Sequence, residues 1–247
     1  MSGRPCAAEP RAPHPRLRVE RSPAGYRLLL LSRPRQHNAL DEELASALRD
    51  AIAEDPSEPM VLGSTDPRAF CAGADLIIPD AERARVSDLF YECCEILITR
   101  PGPVVAAVSG PAVGGGAQLA SAADVRIAGP AARLRWAGPP GMNLAVGAWI
   151  LPDLVGRVRA LDLIMTARWV DATEALSLGL VSEVVAEPLT AAAALAGDLA
   201  ARGPGPLAMA KPIMAAGGPL DRLRAEHQAN RSAWAQVLAT SPPNAAS

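Results

Sequence analysis

The sequence predicts an α/β protein whose C-terminal part is all helical, and three observations carry that reading. Up to about residue 145, short apolar strands alternate with helical patterns, and beyond it helical segments follow one another almost alone. A fully apolar run, Val104 to Val108, leads through Ser109-Gly110-Pro111 to three consecutive glycines and an Ala/Leu-rich helical start. With 49% hydrophobic and 20% charged residues over 247 positions, the chain carries enough apolar material for one substantial core, or a core plus a small appended region.

Taken in order, the first 16 residues carry Arg, Pro and Ala with no apolar run, and read as a disordered tail rather than a secretory leader. Leu17 to Val19 and Tyr26 to Leu31 read as strands joined by Ser22-Pro23-Ala24-Gly25. A polar loop, Ser32 to Leu40, ends at Asp41, the expected N-cap of a helix from Glu42 to Ala53 whose Leu44 and Leu48 sit at i and i+4. Met60 to Gly63 is a short strand, followed by the glycine-bearing segment Ser64 to Leu76. A long helix runs from Asp80 or Ala81 to about Ile98, where Pro101 and Pro103 forbid continuation. Asp124 to Ala128 reads as a strand, with Leu134 and Trp136 in another. Helices are expected from about Val146, then over Leu161 to Met165, Ala172 to Leu178, Ala191 to Arg202 and about Pro219 to Leu238, with a short strand at Val184-Val185. The core is thus expected over 17–190 and a helical region over 191–247.

Composition narrows the function. A net charge of -2 leaves no basic footprint for nucleic acid, and 3% aromatics are too few for base-stacking platforms. No run is long enough to cross a membrane. Cys6, Cys71, Cys93 and Cys94 have no metal-ligand spacing, so no metal is expected, and they read as reduced thiols of a cytoplasmic protein. His14, His37 and His227 lie in the tail, a loop and the last helix, and no G-x-S-x-G elbow is present, so a histidine-activated nucleophile is not expected.

The glycine triplet is the chemically suggestive feature. Glycines opening a helix let the backbone approach a ligand, and the free N–H groups there favour an anion. The segment around Ala72-Gly73-Ala74 is a second place where backbone amides are presented. A glycine cluster by itself is equally compatible with tight packing.

Four segments in this order, SRPRQHNAL, RAFCAGADL, PVVAAVSGPAVGGGAQLASAADVRIAG and DATEALSLGLVSEVV, closely resemble the crotonase (enoyl-CoA hydratase/isomerase) superfamily over roughly Leu17 to Ala216. The resemblance implies a spiral of ββα turns, a helical C-terminal trimerisation region, and a homotrimer or dimer of trimers. It implies an acyl-CoA thioester as substrate, coenzyme A being part of that substrate and no cofactor being permanently bound. By motif position the thioester oxygen would rest on the amides of Ala74 and Gly115. Coenzyme A would run past Ala72, Gly73, Asp75 and Leu76, with Arg68 as a phosphate partner. Asp75 and Asp124 are motif residues whose expected role is structural hydrogen bonding.

The departures from that pattern are specific. Hydratases of this family use two glutamates, the first three residues after the central glycine of the triplet, where this chain has Gln118. An amide does not take up a proton near neutral pH. The second follows the strand after DVRIA, and there Trp136 or Gly138 stands, with no carboxylate from Ala131 to Pro152. The last helix ends in Ala239-Thr240-Ser241-Pro242-Pro243-Asn244 where the family carries a segment covering the CoA adenine, so that region reads as truncated and CoA binding as weak or altered. Lys211 matches a family lysine or is a helix-surface charge.

The resulting expectation is an acyl-CoA enzyme that relies on an oxyanion hole, with ordinary enoyl-CoA hydration weak or absent. Decarboxylation of a malonyl-type thioester, which produces the enolate directly, or hydrolysis of a thioester or a diketone C–C bond is more compatible. Tyr91, Trp136 and Gln118 would orient such a substrate, Tyr91 and Trp136 being otherwise core residues. Two alternatives stand beside it: a non-catalytic acyl-CoA-binding homologue, and a hydratase or isomerase whose base is relocated to Asp80, Glu82 or Glu92.

Overall fold

The computed structural model describes residues 14–139, 142–203 and 205–240. Strands β1 (Leu17–Ser22) and β2 (Tyr26–Leu31) form the expected hairpin, antiparallel with Leu17 opposite Leu31. A single 3-10 turn, Pro34–Gln36, precedes helix α1 (Glu42–Ala53). The Asp41 side chain accepts from the Leu44 amide at 2.9 Å, the expected N-cap, which stabilises the helix by about 1 kcal/mol. Leu44 and Leu48 are fully buried on one stripe of that helix. Then come β3 (Met60–Ser64), α2 (Asp80–Thr99), β4 (Val104–Val108), β5 (Pro111–Val113), α3 (Gly115–Ser121), β6 (Val125–Ala128) and β7 (Arg133–Arg135). The chain continues through α4 (Leu151–Val155), α5 (Arg157–Thr166), β8 (Val170–Asp171), α6 (Ala172–Ser177), β9 (Glu183–Val184), α7 (Pro188–Arg202), α8 (Gly205–Ala215) and α9 (Pro219–Thr240).

Two sheets organise these elements. The larger has the order β1-β2-β3-β4-β6-β9, parallel from β2 onward, and the smaller has β5-β7-β8. Two turns of the chain, β4-β5-α3 and β6-β7-α4-α5, each lay one strand in the first sheet and one in the second before a helix returns, and β8 and β9, separated by α6, add one more to each. This is the expected α/β spiral with a helical C-terminal region. Strands β3 and β4 are buried along their whole length, as parallel strands covered on both faces must be. One face packs on the main core, and Val61, Val105 and Ala107 on the other meet Ala192 and Ala196 of α7. The expected division at residue 191 therefore falls inside a helix that covers the sheet.

Several details differ from the sequence reading. The loop after Ser109 contains β5, too short and glycine-flanked to stand out as a strand. Trp136 lies just beyond β7, and helix resumes at Leu151 rather than Val146. Of the expected tail, residues 1–13 and the closing residues 241–247 lie outside the described residues, as does Cys6. His14 and Arg16 are tied to the core, His14 bridging to Leu17 and Arg16 pairing with Asp41 and, at 2.7 Å, with Glu43. Lys211 is buried rather than a surface charge: its ammonium pairs with Asp124 at 2.8 Å and donates to the Gly102 carbonyl at 3.2 Å. Burial holds its pKa below the usual lysine value, and Asp124 opposes that shift. Asp124 also accepts from the Val104 amide at 2.7 Å, the structural role expected of it.

Candidate functional site

The site is built where the loop before α1, the segment after β3 and the start of α3 meet. Asn38, fully buried with φ 56, sits in the left-handed region that asparagine tolerates. Its amide nitrogen donates to Ser64 Oγ at 2.7 Å and to the carbonyls of Ala69 and Phe70 at 3.1 and 3.0 Å, locking the first loop to the second. The Leu40 amide then donates to the Gly73 carbonyl at 2.7 Å and the Asp75 amide to the Leu40 carbonyl at 2.9 Å. In such a parallel bridge the residue between, Ala74, turns its own N–H to the opposite side. There the chain passes close to the triplet: a Cβ built on Gly73, whose φ is +85, would lie 2.7 Å from the Val113 oxygen and 3.3 Å from the Gly115 nitrogen. Gly115 opens α3, where first-turn amides lack a helical partner. That helix spans only seven residues, so the amides themselves supply the field more than a long dipole does.

Ala74 and Gly115 line one cavity of about 290 Å³, together with Ala72, Gly73, Leu76, Gln118 and Gly138. Of the two positions read for the second glutamate, Gly138 faces this cavity. Trp136 is buried behind it with its indole N–H unpartnered among the described residues. Gln118 is fixed by Trp149, whose Nε1–H donates to Oε1 at 2.6 Å. Because an indole nitrogen only donates, the oxygen of Gln118 is the end it holds, and the NH2 is the end left to serve the cavity.

The expected CoA residues divide. Ala72, Gly73 and Leu76 line the cavity. Asp75 turns away to accept from Arg33 at 3.1 Å and from the Ile77 amide at 3.0 Å, a structural role. Arg68 is off the cavity lining, two-thirds exposed (67%) and paired with Asp66 at 2.7 Å. The alternative bases lie off the cavity, two of them in ion pairs. Asp80 pairs with Arg83, Glu92 with Arg49 at 3.2 Å, and neither they nor Glu82 are among the cavity-lining residues.

Sequence reasoning missed what the distant helices bring. Asn230 and Trp234 of α9 and the cations Arg83 and Arg135 line the cavity, so the last helix covers the site itself. Glu226 of α9 stands behind Tyr91, with Oε1 2.8 Å from the phenol oxygen. Nothing in the order of the chain ties α9 to α2; the spacing of Glu226, Asn230 and Trp234 along one helical face was the available signal. Among the described residues the cavity lining contains no carboxylate, and no cluster of three His, Cys, Asp or Glu is placed to hold a metal. No helix among them is long and apolar enough to cross a membrane. Cys71, Cys93 and Cys94 are free and buried, and burial pushes the Cys71 thiol up to about 12.

Comparison with known proteins places this geometry in context. Residues 22–242 match the family model described as enoyl-CoA hydratase/isomerase. A Bacillus subtilis (strain 168) protein named "Putative enoyl-CoA hydratase/isomerase YngF" is 38% identical over 196 residues, covering 72% of this chain and 73% of that one. The crystal structure of enoyl-CoA hydratase from Bacillus anthracis is 29% identical with a TM-score of 0.76, covering 92% of each chain. That of an enoyl-CoA hydratase from Mycobacterium avium subsp. paratuberculosis K-10 is 26% identical with a TM-score of 0.78, covering 92% of this chain and 91% of that one. The chain belongs to the enoyl-CoA hydratase/isomerase family, the crotonase superfamily that its four ordered motifs resemble.

Proposed function

We propose that this protein processes acyl-CoA thioesters, resting the thioester oxygen on the Ala74 and Gly115 amides. Decarboxylation of a malonyl-type thioester or hydrolysis is more compatible with the site than hydration of an enoyl-CoA. The observation that carries this reading is a cavity onto which both amide-bearing residues open and whose lining holds Gln118 and Gly138 in place of carboxylates. Two preorganised backbone donors stabilise a developing enolate or tetrahedral oxyanion without a titratable group, each worth about 3 kcal/mol of barrier. Syn hydration in addition needs groups that deliver both hydroxyl and proton, and an amide and a glycine supply neither. Coenzyme A would run past Ala72, Gly73 and Leu76, with exposed Arg68 as a candidate contact for a phosphate outside the cavity. A homotrimer or dimer of trimers is consistent with the exposed apolar residues Val158 and Met165 of α5 and Met209 and Ile213 of α8. Free thiols at Cys71, Cys93 and Cys94 accord with the cytoplasm.

A second reading, a non-catalytic acyl-CoA-binding homologue, draws on the same loss of carboxylates. The names of the relatives favour a third, a hydratase or isomerase with a base from elsewhere. One panel separates them: malonyl-, methylmalonyl-, 3-hydroxyacyl- and enoyl-CoA thioesters assayed for turnover, with binding followed by calorimetry. Turnover of a malonyl-type or hydrolysable thioester with slow crotonyl-CoA hydration is the expected result. Binding with no turnover would support the second reading. Fast crotonyl-CoA hydration that survives Gln118→Ala would overturn the proposal.

A further inference from the structure

Tyr91 and Asn230 of the cavity wall belong, with Glu226 behind them, to a buried polar cluster that the oxyanion chemistry does not use. The Tyr91 hydroxyl donates to Glu226 Oε1 at 2.8 Å and accepts from Asn230 Nδ2 at 2.8 Å. Glu226 also accepts from the backbone amides of Gly147 and Trp149, both at 3.1 Å. Asn230 is held in turn by the Ala145 amide at 2.8 Å and the Ala145 carbonyl at 2.7 Å. His227 stacks on the phenol ring, with centroids 4.6 Å apart, and bonds to Asp88 at 2.6 Å. A buried carboxylate without a cation is costly, and among the described residues the partners that hold this one are a phenol and main-chain amides. Burial holds its pKa above the usual carboxylate value, against those hydrogen bonds, so it is a stronger base than an exposed glutamate.

The hydrogen-bond count at the phenol oxygen says what this cluster can serve. A hydroxyl has one donor and two acceptor positions; the donor goes to Glu226 and one acceptor to Asn230. One lone pair is left on a residue that lines the cavity. It accepts an O–H or N–H, and a neutral phenol is too weak a base to remove a C–H proton. A water attacking a carbonyl becomes strongly acidic as its bond forms, and suits that position.

We propose that Tyr91 and Glu226 form a proton relay for a cavity water, which makes the site a thioester hydrolase; this rests on the thioester-binding reading above. Water oxygen bonds to the thioester carbon, and the carbonyl electrons move onto the oxygen held by the Ala74 and Gly115 amides. The water proton passes to Tyr91 Oη as the phenol proton passes to Glu226. Collapse breaks the C–S bond, and the same proton returns from Glu226 through Tyr91 to the departing sulfur, giving a carboxylic acid and free coenzyme A. One relay is sufficient because it gives back the proton it takes; syn hydration would need that proton delivered to carbon. Tyr91 is the catalytic residue that touches the water, Glu226 acts through it, and Asn230 positions the phenol.

The test uses the full chain with short- and medium-chain saturated and 3-hydroxyacyl-CoA thioesters. Free thiol is followed by a thiol-reactive dye and binding by calorimetry. The wild type is expected to release coenzyme A, and Tyr91→Phe and Glu226→Gln to lower kcat by about 100-fold or more with KM moved less than about threefold. Loss of packing alone would not give that split. Should Glu226→Gln fail to fold, Tyr91→Phe, which keeps the ring on His227, carries the test. Wild-type thiol release undiminished in Tyr91→Phe overturns the relay, and so does tight thioester binding with no release, which leaves the binding site standing. No thioester binding at all removes the underlying reading and the relay with it.

Discussion

The Trp149 indole N–H donates to Gln118 Oε1 at 2.6 Å, so a tryptophan 31 residues downstream decides which end of the amide the cavity meets. Gln118 therefore turns its NH2 group, a hydrogen-bond donor, to the cavity. Trp149→Phe is expected to release that orientation and to leave a buried carbonyl oxygen unpaired, costing about 2 kcal/mol of stability. Denaturant unfolding measures the stability, and thioester turnover is expected to fall while calorimetric binding of coenzyme A stays close to wild type.

Gly73 and Gly116 set the spacing of the site. A Cβ on Gly116 would come 2.1 Å from the Cys71 carbonyl oxygen, closer than any side-chain carbon tolerates. Gly116→Ala is expected to cost about 3 kcal/mol and to push α3 away from the segment after β3. Gly73→Ala, strained both by its positive φ and by the Val113 oxygen, is expected to lose thioester turnover more than tenfold, about 1.4 kcal/mol of transition-state stabilisation. Wild-type turnover in Gly73→Ala would show that the two amides do not act together.

Lys211 anchors α8 to the start of β4 through Asp124, which accepts from the Val104 amide. Lys211→Met is expected to destabilise by about 3 kcal/mol, because it leaves the Asp124 carboxylate facing an apolar group. Adding Asp124→Asn is expected to recover part of that loss, a coupling that thermal melts of the single and double variants measure.

Arg68 beside Asp66 holds that carboxyl below the usual aspartate value, chiefly through the side-chain hydrogen bonds. A depressed folded pKa gives stability that is present above the unfolded value and is lost as pH falls through the folded one. The difference in melting temperature between wild type and Arg68→Ala is therefore expected to hold above the unfolded aspartate value of about 4 and to shrink as pH falls below it. Calorimetry on the same variant tests the phosphate contact: coenzyme A affinity equal to wild type would remove Arg68 from the binding site.

The order of motifs determined the family, and local chemistry determined much of the fold. Asp41 capping α1, the prolines that stop α2 and the apolar run of β4 are all encoded within a few residues of where they act, so they were legible in the chain. So were the glycines beside the Ala74 and Gly115 amides, because close backbone approach demands glycine wherever it occurs. What only the tertiary structure decided depends on elements distant in sequence. The phenol of Tyr91 meets Glu226 across 135 positions, Lys211 reaches Asp124 across 87, and Gly138 rather than Trp136 faces the cavity. Helical patterning tells which face of α9 is turned inward but not which helix it lies against; packing on α2 settles that, and with it the acid-base groups the cavity has within reach.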